Sequence, residues 1–207
     1  MYGKLLRTTL VPLTSLLAAL ALSSCGTDKD NRNKVLVSVR DQKMLLVRDG
    51  KPLKTYRIST SKFGIGDRPG SNCTPLGHLE VAKKIGDHSP SGMVFKTRRP
   101  TGEVIQPNAP GRDPIVSRIL WLRGKDQQTC NAFGRCIYIH GTAEEWRLGT
   151  PASYGCIRMG SHDVIDLFER LGEGAEVQVI RGSLHSSEPG LSYVSFAASR
   201  NSRSKGS

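Results

Sequence analysis

The sequence predicts a mainly β domain, sandwich-like in arrangement, with one or two short helices. Apolar residues recur at every second position over 35–39, which is the period of a strand. The dipeptide Asp49-Gly50 separates two apolar runs, as the turn of a β-hairpin does. Helical spacing of apolar residues occurs in one stretch, 161–172. Many short strands beside a single helix are typical of a mainly β architecture.

The elements are expected in the following order along the chain. Strands are predicted at 35–39, 44–48, 54–59, 78–83, 115–122, 137–140 and 177–180. The segment 59–73 is rich in glycine, serine and lysine and is predicted to be a loop. The segment 85–114 contains many glycine and proline residues and no helical period. The helix is predicted to begin at Ser161, a suitable N-cap, and to end at Gly172.

Residues 1–24 resemble an export signal. Lys4 and Arg7 precede a mostly apolar stretch at 8–22 that is too short for a comfortable membrane span. Leu22-Ser23-Ser24-Cys25 then resembles the bacterial lipobox, in which the cysteine is acylated and becomes the new N-terminus; an ordinary signal peptide is the alternative. A lipid on Cys25 would anchor the domain to a membrane without a transmembrane helix.

The rest of the chain is predicted to contain one folded domain between two polar segments. Residues 25–33 are expected to be a tether, 34–180 the domain, and 181–207 a disordered tail rich in serine and arginine. The chain of 207 residues has a formal net charge of +12. No helix-turn-helix, zinc-finger or RNA-binding signature accompanies that charge, so no nucleic-acid partner is expected. A solvated basic surface is the first interpretation, and attraction to an anionic cell wall is the second.

Cys156 and His140 are the candidate catalytic pair. A thiol is weakly ionised at neutral pH, but a neighbouring imidazole can take its proton, hold the charge and return the proton to a leaving group. The two residues can meet if the loop 143–152 folds back. Gly155 allows the backbone to approach a substrate closely, so N–H groups of Tyr154, Gly155 and Cys156 are expected to bind an oxyanion.

These residues also resemble a known family. His140-Gly141-Thr142, a loop, and Ser153-Tyr154-Gly155-Cys156-Ile157-Arg158-Met159 resemble the catalytic signature of the L,D-transpeptidases, YkuD-type enzymes that cross-link bacterial peptidoglycan through a cysteine. Upstream, 34–60 is similar to the family's opening strands, and Thr74-Pro75-Leu76-Gly77 to its Thr-Pro-x-Gly turn. Tyr154 is a departure, because the family usually has a second histidine there. The resemblance spans about 34–180 and agrees with a β-sandwich-like fold.

The resemblance implies a reaction and a cellular location. A thioester would form between Cys156 and a peptidoglycan stem tetrapeptide, and an amine of a second stem would then accept the acyl group as a 3→3 cross-link. Water as acceptor would make the protein an L,D-carboxypeptidase, and a lysine of an envelope protein would make it an anchoring enzyme. The chain is expected in the cell envelope, exported and lipid-anchored.

Two other classes of protein are less well supported by the sequence. A wall-binding lipoprotein that has lost turnover through Tyr154 is disfavoured because Cys156 and His140 are both present. In papain-like proteases the cysteine comes first and its histidine lies far downstream, the reverse of the order here. No acidic residue occupies an obvious triad position, so the backbone carbonyl of Gly141 is expected to orient His140.

Arg158 is expected to contact substrate. It lies two positions after Cys156 in an extended segment, and side chains at that spacing share a face. A guanidinium there could grip a stem-peptide carboxylate at two points. An ion pair with a local acid, Asp163 or Glu144, is nearly as good an explanation.

Ser153, Tyr154 and Trp146 are the other expected substrate contacts. Trp146 lies in the loop between the catalytic residues, and such loops often act as lids. Hydrogen bonding within the turn is the alternative for Ser153, and packing is the alternative for Tyr154.

Three further cysteines remain. A disulfide between Cys130 and Cys136 is predicted, because they bracket a short loop and export permits disulfides. Pairing of Cys73 with either one is the alternative, and a spare thiol remains in both cases. A zinc site of Cys130, Cys136, His140 and Cys156 would have a Cys-x5-Cys spacing outside the usual range. Neither a metal nor a cofactor is expected.

Overall fold

Ten strands form the framework of the fold in the computed structural model, which describes residues 29–187 and 189–192. The strands are β1 Asn33–Ser38, β2 Lys43–Arg48, β3 Lys51–Ser59, β4 Gly77–Ile85, β5 Met93–Lys96, β6 Arg99–Val104, β7 Ile115–Gly124, β8 Tyr138–Thr142, β9 Ile157–Met159 and β10 Glu176–Ile180. The helix α1 spans Ser161–Arg170, and 3-10 helices span Glu145–Arg147 and Leu184–Ser186. The prediction of a mainly β domain is confirmed.

Strand pairing closes most of the sheet into a ring. The strands follow the order β4-β10-β1-β2-β3-β9-β8-β7, and β4 also pairs with β7. The hairpin formed by β5 and β6 extends from β7. The pairs β1–β10 and β8–β9 are parallel, whereas the other pairs are antiparallel. Closure leaves few free strand edges, although β9 pairs with only Ile58 and Ser59 of β3, so residues 51–57 pair with β2 alone.

The main core lies between this sheet and α1. Alternate residues of the strands bury apolar side chains there, and α1 adds one face of its own. Fully buried members of the core include Val35, Val37, Met44, Leu46, Ile58, Leu79, Ile139, Ile157, Met159, Val164 and Leu167. A second apolar cluster of Phe95, Ile119 and Tyr138 forms where the β5–β6 hairpin meets the sheet, and Cys136 and Cys156 pack against it.

The start of α1 differs from the expected cap. Gly160 is the N-cap, and Ser161 is the first helical residue. The Ser161 N–H donates to the Glu145 carboxylate at 2.7 Å. A negative charge at this position stabilises the positive end of the helix dipole, so a side chain from the loop after β8 replaces the predicted serine cap.

The segment 85–114 contains a hairpin that the sequence pattern does not reveal. Its strands β5 and β6 are joined by Thr97 and Arg98, both with positive φ (51° and 64°). Turns of this kind normally carry glycine or asparagine. The usual hairpin signal is therefore missing from the sequence.

Both ends of the domain extend beyond the predicted boundaries. The Asp30 carboxylate accepts hydrogen bonds from the N–H groups of Asn33 (3.0 Å) and Gly172 (2.7 Å), so the last residues of the expected tether belong to the fold. After β10, Asp41 accepts a hydrogen bond from the Leu184 N–H at 2.7 Å, and the Leu184 side chain is buried. Residues 181–187 therefore belong to the fold and not to the predicted tail.

The predicted leader, Cys25 and the end of the chain lie outside the described residues. Within 29–187 and 189–192, no helix is long and apolar enough to cross a membrane.

Candidate active site

The pairing of β8 with β9 places the candidate catalytic residues on one face of the sheet. Ile139 lies opposite Ile157, and His140 lies opposite Arg158. Successive side chains of a strand alternate between the two faces. Because the two isoleucines are in the core beneath α1, His140 and Cys156 lie on the opposite face.

The Cys156 thiol is free and half-buried. Its sulfur accepts a hydrogen bond from the Tyr138 N–H and donates one to the Cys136 carbonyl, each at 3.4 Å. Burial raises the pKa of the Cys156 thiol to about 11, even though the Tyr138 N–H favours the thiolate. The resting sulfur is therefore a neutral thiol at pH 7.

The His140 ring is almost fully buried, at 5% exposure. Its Nδ1 lies 2.8 Å from the Gly141 carbonyl, and a carbonyl can only accept. Nδ1 therefore carries the proton, and Nε2 has the free lone pair of a base. Burial lowers the pKa of His140 to about 4, and the hydrogen bond to Gly141 only partly opposes that effect.

The two pKa shifts change the expected resting state. The sequence suggested a sulfur ionised by the imidazole, but burial favours the neutral form of both groups. Among the described residues, no hydrogen bond joins the Cys156 thiol to the His140 ring. Catalytic hydrogen bonds often tighten only when substrate binds. The proton would then move during attack on the substrate rather than before it.

Gly155 forms the sharp turn before Cys156. Its φ is +117°, and a Cβ there would lie 3.2 Å from the Cys73 carbonyl oxygen and from the Ile137 side chain. Only glycine fits this conformation and this space without strain. The Thr74 hydroxyl donates to the Gly155 carbonyl at 3.0 Å, which ties the predicted Thr-Pro-x-Gly turn to the site.

Ser153 holds this turn together and does not face substrate. Its side chain is fully buried; its hydroxyl donates to the Cys156 carbonyl and accepts from the Gly155 N–H at 3.2 Å. The prediction of Ser153 as a substrate contact is therefore wrong.

The Gly155 N–H already donates to the Ser153 hydroxyl. Of the three expected oxyanion donors, the N–H groups of Tyr154 and Cys156 are those that donate to no other described residue.

Arg158 is held by acidic side chains. Its guanidinium lies 2.7 Å from the Asp113 carboxylate and 3.4 Å from that of Glu144, and it is only 11% exposed. The alternative of an ion pair with Glu144 is thus observed, whereas Asp163 lies 3.8 Å from the Lys54 ammonium instead. Both contacts are made by Nη1, so the positive charge of Arg158 is matched by two carboxylates before any substrate binds.

Asp113 is a residue that the sequence reasoning missed. Its carboxylate also accepts hydrogen bonds from the Thr142 hydroxyl and from the N–H groups of Ala143 and Glu144. It therefore fixes the start of the loop after β8 as well as Arg158. No local pattern marks it, because its partners lie far along the chain. Its place just before β7, which pairs with β8, is the only signal.

Trp146 and Tyr154 are exposed beside the site. The Trp146 side chain is 68% exposed on the 3-10 helix, and the Trp146 backbone N–H donates to the Asn108 side chain at 2.9 Å. Tyr154 is 57% exposed, and its hydroxyl accepts a hydrogen bond from the Lys62 ammonium at 3.0 Å. That bond and the nearby positive charge lower the pKa of Tyr154 below its usual value. Both side chains remain candidates for substrate contact.

The other cysteines are not paired. Cys73, Cys130 and Cys136 are free, so the predicted Cys130–Cys136 disulfide is not formed. Cys130 is exposed, whereas Cys136 lies half-buried with its sulfur 3.7 Å from the Arg98 guanidinium. Within the described residues, no group of three or more His, Cys, Asp or Glu side chains is arranged to hold a metal ion.

The fold and the site together define a mainly β domain with a candidate site of the cysteine–histidine type. Residues 32–179 match the family described as YkuD, the L,D-transpeptidase catalytic domain. The chain therefore belongs to the YkuD L,D-transpeptidase family, whose activity is acyl transfer. The resemblance stated from the catalytic signature is confirmed.

One protein and two solved structures illustrate what this chain is similar to. The Bacillus subtilis (strain 168) protein named "Putative L,D-transpeptidase YqjB" is 26% identical over 145 residues, which are 70% of this chain and 69% of that protein. A crystal structure of an L,D-transpeptidase from Xylanimonas cellulosilytica has 19% identity, a TM-score of 0.47, and coverage of 72% of this chain and 60% of that one. An L,D-transpeptidase from Mycobacterium smegmatis has 16% identity, a TM-score of 0.45, and coverage of 72% and 58%. This chain thus spans less than two thirds of those two solved chains.

The neutral resting state predicts how Cys156 reacts with iodoacetamide. Because burial raises the thiol pKa to about 11, alkylation of the unliganded protein should keep rising as the pH increases from 7 to 10. Peptide mass spectrometry at each pH measures the rate, and exposed Cys130 provides an internal check on the reagent. A rate that is already constant between pH 6 and 8 would instead indicate a preformed thiolate–imidazolium pair.

The role of Asp113 predicts a large loss of stability in Asp113→Ala. Breaking a buried ion pair leaves an uncompensated charge, so the free energy of unfolding should fall by about 3–5 kcal/mol. The matched control is Glu103→Ala, since Glu103 pairs with Arg112 on the surface, where such a loss is about 1 kcal/mol or less. Urea denaturation measures both, and equal losses would contradict a buried structural role for Asp113.

Proposed function

We propose that this chain is a peptidoglycan L,D-transpeptidase that forms a cysteine thioester with a stem tetrapeptide and transfers the acyl group to an amine. One observation carries the proposal: His140 is held as the Nδ1–H tautomer, with Nε2 free to act as a base, on the face of the sheet that carries Cys156. A neutral imidazole beside a neutral thiol is suited to taking the proton at the moment of attack.

In the first half of the reaction, the Cys156 sulfur attacks the carbonyl carbon of the scissile amide. His140 Nε2 takes the thiol proton, and the carbonyl oxygen becomes an oxyanion. The N–H groups of Tyr154 and Cys156 stabilise that charge. Collapse of the intermediate breaks the C–N bond, and His140 returns the proton to the departing amine, a terminal D-alanine. A thioester on Cys156 remains.

In the second half, an amine of another stem peptide attacks the thioester carbonyl. His140 Nε2 accepts a proton from that amine, and the same N–H groups hold the second oxyanion. The C–S bond breaks, the new amide forms a 3→3 cross-link, and the sulfur regains its proton. With water as acceptor the same steps give an L,D-carboxypeptidase, and with a lysine of an envelope protein they give an anchoring enzyme.

Replacing Cys156 or His140 is expected to lower the enzymatic activity by different amounts. Cys156→Ala should abolish conversion of a meso-diaminopimelate–D-alanine tetrapeptide, because no nucleophile remains. His140→Ala should lower kcat by about 10²–10⁴-fold, the usual contribution of a general acid–base. Mass spectrometry of muropeptides under reducing conditions measures both, and the dimer, tripeptide or protein-linked product identifies the acceptor.

Cys130→Ala is the matched control, because Cys130 is exposed and free; it should keep wild-type turnover. A carbapenem adduct should form on Cys156 in the wild type and in the control. If the wild type leaves tetrapeptides unchanged and forms no adduct, the catalytic proposal is wrong, and a wall-binding protein becomes the better account.

We further propose that the protein is exported and lipid-anchored through Cys25, on the basis of the lipobox-like sequence at 22–25. Metabolic labelling with a palmitate analogue should mark the full-length chain in membranes. The Cys25→Ala variant should lose the label. An unlabelled wild-type protein with a shortened N-terminus would favour an ordinary signal peptide instead.

A further inference from the structure

The positively charged side chains around the turn 153–156 differ in whether an acidic side chain pairs with them. Of the arginines whose charge reaches this turn, Arg158 is paired with Asp113, Arg147 with Glu144 and Arg135 with Asp67. Their positive charges are therefore largely neutralised inside the protein. Lys62 also lies at the turn, but it forms no ion pair with any residue of 29–187 or 189–192.

Lys62 is instead seated between two exposed aromatic rings. Its ammonium lies 4.3 Å from the centroid of the Tyr154 ring and 5.3 Å from that of Phe63. The two rings are 5.4 Å apart and tilted by 53°. Phe63 is 50% exposed and Tyr154 is 57% exposed. Aromatic faces attract a cation without neutralising it, so the full charge of Lys62 remains available at the surface.

The backbone fixes this arrangement next to the nucleophile. The Lys62 N–H donates to the Ser153 carbonyl at 3.1 Å, and the Ser153 N–H donates to the Thr60 carbonyl at 3.0 Å. Ser61 and Ser153 form a parallel bridge. Lys62 and Tyr154 are therefore held side by side, with Tyr154 two positions before Cys156. The Tyr154 hydroxyl takes one ammonium donor at 3.0 Å, which leaves two donors for a ligand.

We propose that Lys62, placed by Tyr154 and Phe63, is the residue that binds a carboxylate of the donor stem peptide. This inference rests on the proposed function, since stem peptides carry several carboxylates. It assigns to Lys62 the role that the sequence suggested for Arg158, whose Nη1 is already paired with Asp113 and Glu144. It also gives a purpose to Tyr154 at the position where the family usually has a histidine: its hydroxyl and ring position the ammonium.

The test compares Lys62→Met with Lys51→Met, which removes the same charge from the far end of β3. For the tetrapeptide donor, Lys62→Met should raise KM by about tenfold, the value of one charge-assisted hydrogen bond, with kcat within about twofold of wild type. Lys62→Arg should restore most of the affinity. Tyr154→Phe keeps the ring but loses the acceptor, so a smaller rise in KM is expected. Lys51→Met should match wild type.

Donors amidated at one carboxylate at a time identify the group that is bound. One of these amidated donors should raise the KM of the wild type to the value that Lys62→Met has for the unmodified donor. The same donor should not raise the KM of Lys62→Met further, because the interaction is already lost in that variant. The inference is overturned if Lys62→Met binds every donor as wild type does, or if all amidated donors weaken both proteins equally.

A binding measurement separates this inference from the proposed reaction. Calorimetric titration of tetrapeptide into Cys156→Ala and into Cys156→Ala/Lys62→Met needs no turnover. A dissociation constant about tenfold weaker in the double variant supports the carboxylate site even if the wild type proves inactive. Equal constants, or no binding to either protein, contradict it. Matching thermal unfolding curves would show that the substitutions leave the fold intact.

Discussion

The parallel pairing of β8 with β9 is the contact on which the site depends. Its register buries Ile139 and Ile157 in the core and thereby turns His140 and Cys156 to the other face. A slip of one residue would exchange the two faces and bury the candidate catalytic groups beneath α1. The same strand must also lie close to β7: a Cβ on Gly141 would be 2.5 Å from the Val116 carbonyl oxygen. The glycine that orients His140 is therefore also required by the packing of the sheet.

Burial explains the electrostatic character of the site. It moves the pKa values of the thiol and the imidazole in the directions that keep each neutral. Hydrogen bonds from Tyr138 and to Gly141 fix orientation without creating a charge at rest. In the reaction proposed above, charge would develop on sulfur, imidazole and substrate only during attack, when the N–H groups of the turn are already in place.

Local patterns in the sequence were sufficient for much of this architecture. Alternation over 35–39 and the Asp49-Gly50 turn predicted the first strands, and the spacing after Ser161 predicted α1. Cys156 and His140 could be selected because their chemistry and order match a known signature. Asp113 and Lys62 could not be selected in this way, because their partners are remote in the chain. The hairpin at 93–104 could not be predicted because its turn contains no glycine. The Cys130–Cys136 disulfide was predicted from closeness in sequence, but both thiols are free, and closeness along the chain does not by itself supply the geometry that a disulfide needs.

Closure of the ring between β4 and β7 has a consequence for solubility. Within the described residues, two strand sides have no strand partner: the outer side of β6, and the side of β3 at 51–57 that is turned away from β2. Every residue of β6 is exposed, and the strand carries Arg99, Pro100 and Glu103. Proline offers no N–H for a further strand, and charged side chains oppose close approach of another chain. The border along β6 is thus poorly suited to recruiting neighbouring polypeptides into aggregates.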